Sequence, residues 1–293
     1  MGPVKTLATR LFAWLLEPLA SDEKACRYLS RFFSSRNQSH LRDNEFKSVF
    51  PHLSMEGRSD WEIGALTTIA KTAQQLRASV VYDVGANDGV WSLAFAEAGP
   101  RIQVHAFEPL PEVYARLVTR VGGHALITPH NLAFGSSRSE LQMYQDEFSP
   151  ASSLLKMTQR HMDEFPQTGT QHPVRVQVET MDEYVGKMQL PMPDLVKIDV
   201  QGYEDEVIAG GKETIRQARY VWVELSLVRL HEGGSTFHTT YTALRDLGYD
   251  LFDITYLDRS AKDGSLLQMD ALFVNSGGIS VDEDTDQLLQ VSL

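Results

Sequence analysis

The chain is poor in cysteine, in positive charge and in long apolar runs, and each shortage disfavours a class of protein. Its 293 residues include a single cysteine, Cys26, so no internal disulfide can form, which is consistent with a reducing compartment. The 39 acidic residues outnumber the 27 basic ones, which gives a net charge of -12, and no basic stripe runs along the sequence. Because nucleic-acid binding depends on neutralising phosphates, we expect neither DNA nor RNA as a partner.

The first apolar run, within residues 1–20, is too short and too interrupted by charge to span a bilayer, which takes about 20 apolar residues. No convincing signal-peptide cleavage site follows it. We favour an amphipathic helix packed on the protein or on a partner subunit. The alternative is a helix on a membrane surface with Phe12 and Trp14 at the interface. The expected location is therefore cytoplasmic, with peripheral membrane contact through residues 1–20 left open.

Residues 80–98 combine a buried strand, a glycine turn and an amphipathic helix that Gly99 ends. A loop between a strand and a helix N-terminus presents unpaired N–H groups and the positive end of the helix dipole. We therefore expect the backbone of this loop to hold an anionic group of a ligand. The loop consists of Gly85, Ala86, Asn87, Asp88 and Gly89.

Two acids narrow the choice of ligand. The dinucleotide fingerprint needs a middle glycine that this loop lacks, and Asp83 beside the turn would repel a pyrophosphate. An acid at that place suits a cationic ligand such as S-adenosylmethionine, whose carboxylate can bind the helix N-terminus. Glu108, at the tip of the next apolar strand, can accept hydrogen bonds from two ribose hydroxyls.

Four motifs in a fixed order give the chain a family resemblance. They are D-V-G-A-N-D-G (83–89), A-F-E-P (106–109), N-L-A-F-G (131–135) and V-K-I-D-V-Q-G-Y-E (196–204), each at the end of a predicted strand. With this order and spacing the chain resembles the FkbM family of class I S-adenosylmethionine-dependent methyltransferases over residues 78–275. The resemblance implies S-adenosylmethionine as cofactor and the following cofactor-binding residues: Asp83, Gly85, Ala86, Asn87, Asp88, Gly89, Glu108, Pro109, Asn131 and Ala133.

In class I methyltransferases the tip of the third strand approaches the adenine of the cofactor. The resemblance therefore implies that Asn131 offers its amide to the ring, whereas the alternative is that it only forms a turn.

The alternation of strands and helices, followed by a hairpin, predicts an α/β fold: a Rossmann-like, doubly wound, mostly parallel sheet with one antiparallel strand. We divide the chain into an N-terminal helical extension (1–77), the methyltransferase domain (78–275) and an acidic tail (276–293). Residues 146–172 lack periodicity, so we predict a long loop there and take it as the candidate lid over the acceptor.

Lys197 is an anomaly, because it stands within an apolar strand on the same face as Asp199. Burying a lysine without a counter-charge costs too much free energy, so we expect its partner to be Asp199 or a carboxylate on the adjacent strand.

Asp199, Glu224 and His231 are the candidate general bases, although a lone loop histidine is more often incidental. Gln201 stands where many members of the resembled family carry Glu, which argues against a mechanism that uses this side chain as a base. A divalent metal held by acids stays an alternative, but the resemblance requires none and we assign none.

The resemblance implies O-methylation of a hydroxyl on a sugar, a polyketide or another small metabolite, so the expected partner is a small-molecule or glycan acceptor. No oligomeric state follows from the sequence. Two other functions stay open at this point. A nicotinamide-dependent oxidoreductase on the same fold is disfavoured by the missing middle glycine and by Asp83. A catalytically inactive cofactor-binding scaffold is disfavoured by the complete set of motifs.

Overall fold

The computed structural model of the protein describes residues 77–99 and 101–276. Their main feature is a seven-stranded sheet. Its strands are β1 (Val80–Val84), β2 (Gln103–Phe107), β3 (Ile127–His130), β7 (Leu195–Ile198), β8 (Tyr220–Ser226), β9 (Tyr249–Arg259) and β10 (Leu266–Asn275). They lie in the order β3-β2-β1-β7-β8-β10-β9, and β10 runs antiparallel to both of its neighbours. The predicted mostly parallel sheet with one antiparallel strand is confirmed.

A smaller three-stranded sheet lies beside the main one, with β6 (Gln171–Glu179) between β4 (Ala133–Phe134) and β5 (Ser139–Asp146). The helices are α1 (Val90–Ala98), α2 (Pro111–Val121), α3 (Gln159–Glu164), α4 (Met181–Met188), α5 (Glu204–Gly210), α6 (Lys212–Gln217) and α7 (Phe237–Asp246), with a 3-10 turn at Ser149–Ala151. The prediction of residues 146–172 as a loop is therefore wrong in part, because Thr158 caps a short helix by accepting a hydrogen bond from His161 N.

Helices cover both faces of the main sheet, so its central strands are mostly apolar, with Asp83 and Lys197 as charged exceptions. Along β7 the side chains alternate: Leu195 packs in the core beneath α1, whereas Val196 and Ile198 pack in the core on the opposite face. Each of these three residues is fully buried. Burial of one such side chain contributes about 1.5–3 kcal/mol, so the two cores position the strand ends firmly.

One ion pair is enclosed within the sheet. Lys197 lies opposite Asp83 in the register of β7 and β1, and its Nζ is 3.1 Å from Asp83 Oδ1 and 3.6 Å from Asp199 Oδ2. Ser92 Oγ donates a 2.7 Å hydrogen bond to the other oxygen of Asp83. Burial lowers the pKa of Lys197, but Asp83 and Asp199 outweigh it and the net pKa is raised. The predicted pairing of Lys197 with a carboxylate is confirmed.

Several predictions concern residues outside the described ranges: the helical extension at 1–77 except for its last residue, the membrane-surface alternative for residues 1–20, and the acidic tail beyond residue 276. The division into three segments stays a prediction. Within residues 77–99 and 101–276, no helix combines the length and apolarity that crossing a membrane requires.

A histidine pair is packed under the cavity end of β2 and β3. His105 Nδ1 is 3.1 Å from His130 Nε2, and His130 Nδ1 is 3.1 Å from the Tyr184 hydroxyl. Phe107 stacks on His130 at a centroid distance of 4.7 Å. Burial, and next the neighbouring His105, lower the pKa of His130 to about 4.

Replacing Lys197 with Met should lower the free energy of unfolding by about 3–5 kcal/mol, because the buried Asp83 carboxylate would lose its counter-charge. Urea unfolding at neutral pH measures this. Arg175→Met is the matched control: its ion pair with Glu140 is solvent-exposed, and its loss should cost about 1 kcal/mol or less. Equal effects of the two substitutions would show that leaving the Asp83 carboxylate without its counter-charge carries no special cost.

Replacing His130 with Phe should make stability less dependent on acid pH. An unfolded histidine takes up a proton near its ordinary pKa, whereas folded His130 does so only near pH 4, so acidification between these values favours the unfolded chain. From about pH 7 to about pH 5, the wild type should lose about 2 kcal/mol more than the variant. Urea unfolding at both pH values, with the exposed His172→Gln as control, checks this; parallel losses would contradict it.

Candidate active site

A cavity of about 590 Å³ lies at the carboxyl ends of the parallel strands, next to the point between β1 and β7 where the strand order reverses. Open α/β sheets bind their ligands at this position, and the volume is within the usual range for small-molecule sites. The cavity brings together the glycine loop, Glu108 and Pro109, the tip of β4 with Ala133, the ends of β7 and β8, and residues 147–168.

The glycine loop is in contact with the end of β7. A Cβ on Gly85 would overlap the carbonyl oxygen of Asp199, and one on Gly89 would come within 2.5 Å of Leu117. Both glycines have positive φ, 79° and 86°, which a side chain would strain. The N–H groups of Gly85 and Ala86 both donate to Phe107 O on the next strand. The loop before α1, which we call the glycine cradle, is therefore fixed in position and exposes backbone without side chains at its two glycines.

Glu108 lies behind this loop with only 5% of its surface exposed. Its Oε2 accepts a 3.0 Å hydrogen bond from Asn87 N, and its Oε1 accepts one of 2.8 Å from Leu110 N. Burial raises the pKa of Glu108 to about 7, although the two backbone donors oppose it. A carboxylate oxygen can accept a second hydrogen bond, so Glu108 can receive ribose hydroxyls while it positions the loop.

Three predicted cofactor residues do not line the cavity: Asp83, Gly89 and Asn131. We expected Asp83 beside the ligand, but it does not face the cavity: it is fully buried beneath the loop, where it pairs with Lys197 and accepts a hydrogen bond from Ser92. Asn131 is exposed, and its amide nitrogen donates to the carbonyls of Glu108 and Pro109, which agrees with the turn-forming alternative. Its contact with the adenine stays a prediction. Asp83 and Asn131 support the loop and the strand tip from outside the cavity.

Carboxyl and amide side chains meet at the other end of the cavity, in a group that we call the acid–amide cluster: Asp199, Gln201, Glu224 and Gln268. Gln201 Nε2 is 3.1 Å from both Asp199 Oδ1 and Glu224 Oε2. Gln268 Nε2 donates a 2.6 Å hydrogen bond to the same Glu224 oxygen. Burial, followed by the charge of Asp199 and other nearby acids, raises the pKa of Glu224 well above its ordinary value. This favours the neutral acid.

His231, a candidate base from the sequence, does not line the cavity either. It is 2% exposed and its ring contacts that of His161, with centroids 5.0 Å apart. Burial lowers the pKa of His231 to about 3, and His161 adds to this. The histidine that does line the cavity is His161. Sequence reasoning missed it because it lies in the segment without periodicity, where only the Thr158 cap signals a helix.

In the part of the chain that the structure describes, no group of three or more His, Cys, Asp or Glu side chains is arranged to hold a metal ion. The acids of the acid–amide cluster accept hydrogen bonds from amides instead.

Comparison with known proteins gives one family. A family model described as the methyltransferase FkbM domain matches residues 83–251. The 2-O-methyltransferase NoeI of Sinorhizobium fredii is 28% identical over 160 residues, 53% of this chain and 66% of NoeI. The hexuronic acid methyltransferase AglP of Haloferax volcanii is 29% identical over 146 residues, 50% of this chain and 55% of AglP. The chain thus spans less than two thirds of either relative.

Solved structures with a similar arrangement share little sequence. A methyltransferase FkbM from Methylobacillus flagellatus has a TM-score of 0.41 and 12% identity, covering 78% of this chain and 59% of that one. The O-methyltransferase TomG from Streptomyces achromogenes has a TM-score of 0.45 and 12% identity, covering 87% and 99%.

The matched region covers more than half of the chain and contains all four motifs. S-adenosylmethionine is the cofactor of this family, and the residues present fit it. The N–H groups of Gly85, Ala86, Asn87 and Gly89 are bonded within the protein, so what the glycine cradle offers is a bare backbone directly before the N-terminus of α1. Glu108 keeps the capacity to accept hydroxyl donors. The chain therefore belongs to the FkbM family of S-adenosylmethionine-dependent methyltransferases.

Proposed function

We propose that the protein is an O-methyltransferase that methylates a hydroxyl of a sugar or a similarly hydroxylated small metabolite. The observation that carries this proposal is the acid–amide cluster, which shares one cavity with the glycine loop and Glu108. A cofactor at the loop and an acceptor at the cluster would therefore meet in the same enclosed space. Holding the two reactants in line is the main requirement for methyl transfer.

At the cofactor end we assign binding to the backbone of Gly85–Gly89 and to Glu108, with Pro109 and Ala133 lining the adjoining wall. Asp83 acts from beneath, because it fixes Lys197 and hence the end of β7. S-adenosylmethionine, when bound, supplies a methyl group activated by its sulfonium. The protein itself orients the cofactor there and excludes water from it.

At the acceptor end, carboxyl oxygens and amide groups offer both donors and acceptors within a small space. A sugar hydroxyl both donates and accepts a hydrogen bond, so this cluster suits a polyhydroxylated acceptor better than an apolar one. We assign Asp199 and Glu224 to the binding of acceptor hydroxyls. The names of two relatives agree with this class: NoeI is a 2-O-methyltransferase and AglP a hexuronic acid methyltransferase.

The direct test is methyl transfer from labelled S-adenosylmethionine to a panel of methyl glycosides of hexoses and hexuronic acids, with primary amines and thiols as comparators. We expect label on a hydroxyl oxygen, located by NMR of the product, together with release of S-adenosylhomocysteine. Transfer only to nitrogen or sulfur, or binding of S-adenosylhomocysteine without transfer to any hydroxyl, would contradict the proposal.

Replacing Glu108 with Gln should weaken S-adenosylhomocysteine binding about 10-fold to 100-fold, because the amide nitrogen cannot accept from Asn87 N or Leu110 N or from a ribose hydroxyl. Isothermal titration calorimetry measures the change. Glu112→Gln, an exposed position on α2, is the control and should bind as the wild type does. Unchanged affinity of the Glu108 variant would remove Glu108 from the cofactor site.

Glu224 should act as a neutral acid. Replacing it with Gln, which cannot ionise, should preserve acceptor turnover at neutral pH, whereas Glu224→Ala should reduce kcat/KM about 10-fold to 100-fold. Because the pKa of Glu224 is raised, wild-type kcat/KM should fall as rising pH ionises it, and the Gln variant should lack that fall. The pH profiles of kcat/KM decide this, and identical profiles would show that Glu224 does not titrate in the reaction.

A further inference from the structure

Residues 147–168, which we call the lid segment, are fixed to the core at both ends of the cavity. Ser149 Oγ is 3.1 Å from Asn87 Oδ1 on the glycine loop. Ser153 Oγ donates a 2.7 Å hydrogen bond to the carbonyl of Gln201 in the acid–amide cluster. Thr158 Oγ1 donates to the carbonyl of Leu230, 3.0 Å away. The wall that this segment presents is therefore positioned against both ends of the cavity.

His161, on α3 of the lid segment, is the cavity-lining side chain of interest. It is 3% exposed, and among residues 77–99 and 101–276 no hydrogen bond reaches its ring. Its Nδ1 is enclosed without a partner, which leaves Nε2 as the ring nitrogen available to a ligand. Burial lowers the pKa of His161 and Asp146 only partly offsets this, so the imidazole is neutral near neutral pH.

The two acids of the acid–amide cluster are less free to take a proton. Asp199 already holds Lys197 through Oδ2 and the amide of Gln201 through Oδ1. Glu224 accepts two amide donors on a single oxygen and favours its protonated form. His161 therefore differs from both in having a neutral, uncommitted nitrogen at the cavity.

We propose that His161 is the general base of the reaction and contacts the acceptor hydroxyl directly. This inference rests on the function proposed above. The hydroxyl oxygen forms a bond to the methyl carbon while the carbon–sulfur bond breaks and its electron pair stays on sulfur. The hydroxyl proton moves to His161 Nε2, which becomes an imidazolium, and S-adenosylhomocysteine leaves with the methylated acceptor. A base of this kind contributes about 100-fold to 10,000-fold in rate.

His231 then acts as a positioning residue. Its Nε2 is also enclosed and has no hydrogen-bond partner among the described residues, and its ring lies edge-on to that of His161. The backbone bridge between Met157 and His231 keeps the two rings together. Of the titratable groups around His161, Asp146 lies at the end of β5 and His231 in the loop after β8. His231 can thus hold the ring of His161 in place by packing against it.

The test compares His161→Gln with the control His172→Gln, an exposed histidine on β6. With the hydroxyl acceptor found in the glycoside panel, kcat should fall about 100-fold in His161→Gln and stay unchanged in the control. Affinity for S-adenosylhomocysteine should be unchanged in both. The wild-type kcat/KM should decline at acid pH as His161 is protonated, and His161→Gln should lose this acid limb.

A second readout does not depend on turnover. Protein with carbon-13 at histidine Cε1, saturated with S-adenosylhomocysteine, is titrated with methyl glucuronoside, and the His161 resonance, assigned from His161→Gln, should shift. An unmoved resonance, or a variant that retains half of the wild-type kcat, would overturn the assignment even where methyl transfer is observed. A shifted resonance without transfer to any hydroxyl would support the acceptor contact and overturn the proposed reaction instead.

Discussion

Lys197 connects the two ends of the site through the middle of the sheet. Its ammonium lies between Asp83, beneath the glycine loop, and Asp199, in the acid–amide cluster. All three groups depend on the register of β1 and β7, since a slip of one residue would move the lysine to the opposite face. A buried pair of this kind stabilises little by itself, but it fixes which residues come together at the strand ends.

The cavity is completed by parts that the parallel sheet alone does not provide. The lid segment brings His161 and its aromatic neighbours over the strand ends, and the antiparallel β10 brings Gln268 to Glu224. Hydrogen bonds to Asn87, Gln201 and the loop after β8 hold the lid segment at both ends. The end with the glycine loop is thus built from local turns, whereas the end with the acid–amide cluster is assembled from distant segments.

This difference explains what could be predicted from the sequence. Strand–turn–helix motifs are local, so the sheet, the glycine loop and the position of Glu108 could be predicted from their spacing in the sequence. The pairing of Lys197 with a carboxylate could be predicted because an unpaired buried lysine is too costly. The burial of Asp83 could not be predicted, because the local sequence around an acid at a strand tip does not tell whether the acid is solvated or paired with a lysine on another strand. His161 was missed for a similar reason: its place depends on long-range contacts of a segment without periodicity.

The contact between Gly85 and the backbone of Asp199 leaves no room for a side chain between the two halves of the site. Backbone atoms form this shared partition, so its shape is insensitive to most substitutions and cannot be widened without moving a strand. Substitutions that reshape the cavity are therefore confined to its other walls, which are the lid segment and the end of β10 with Gln268.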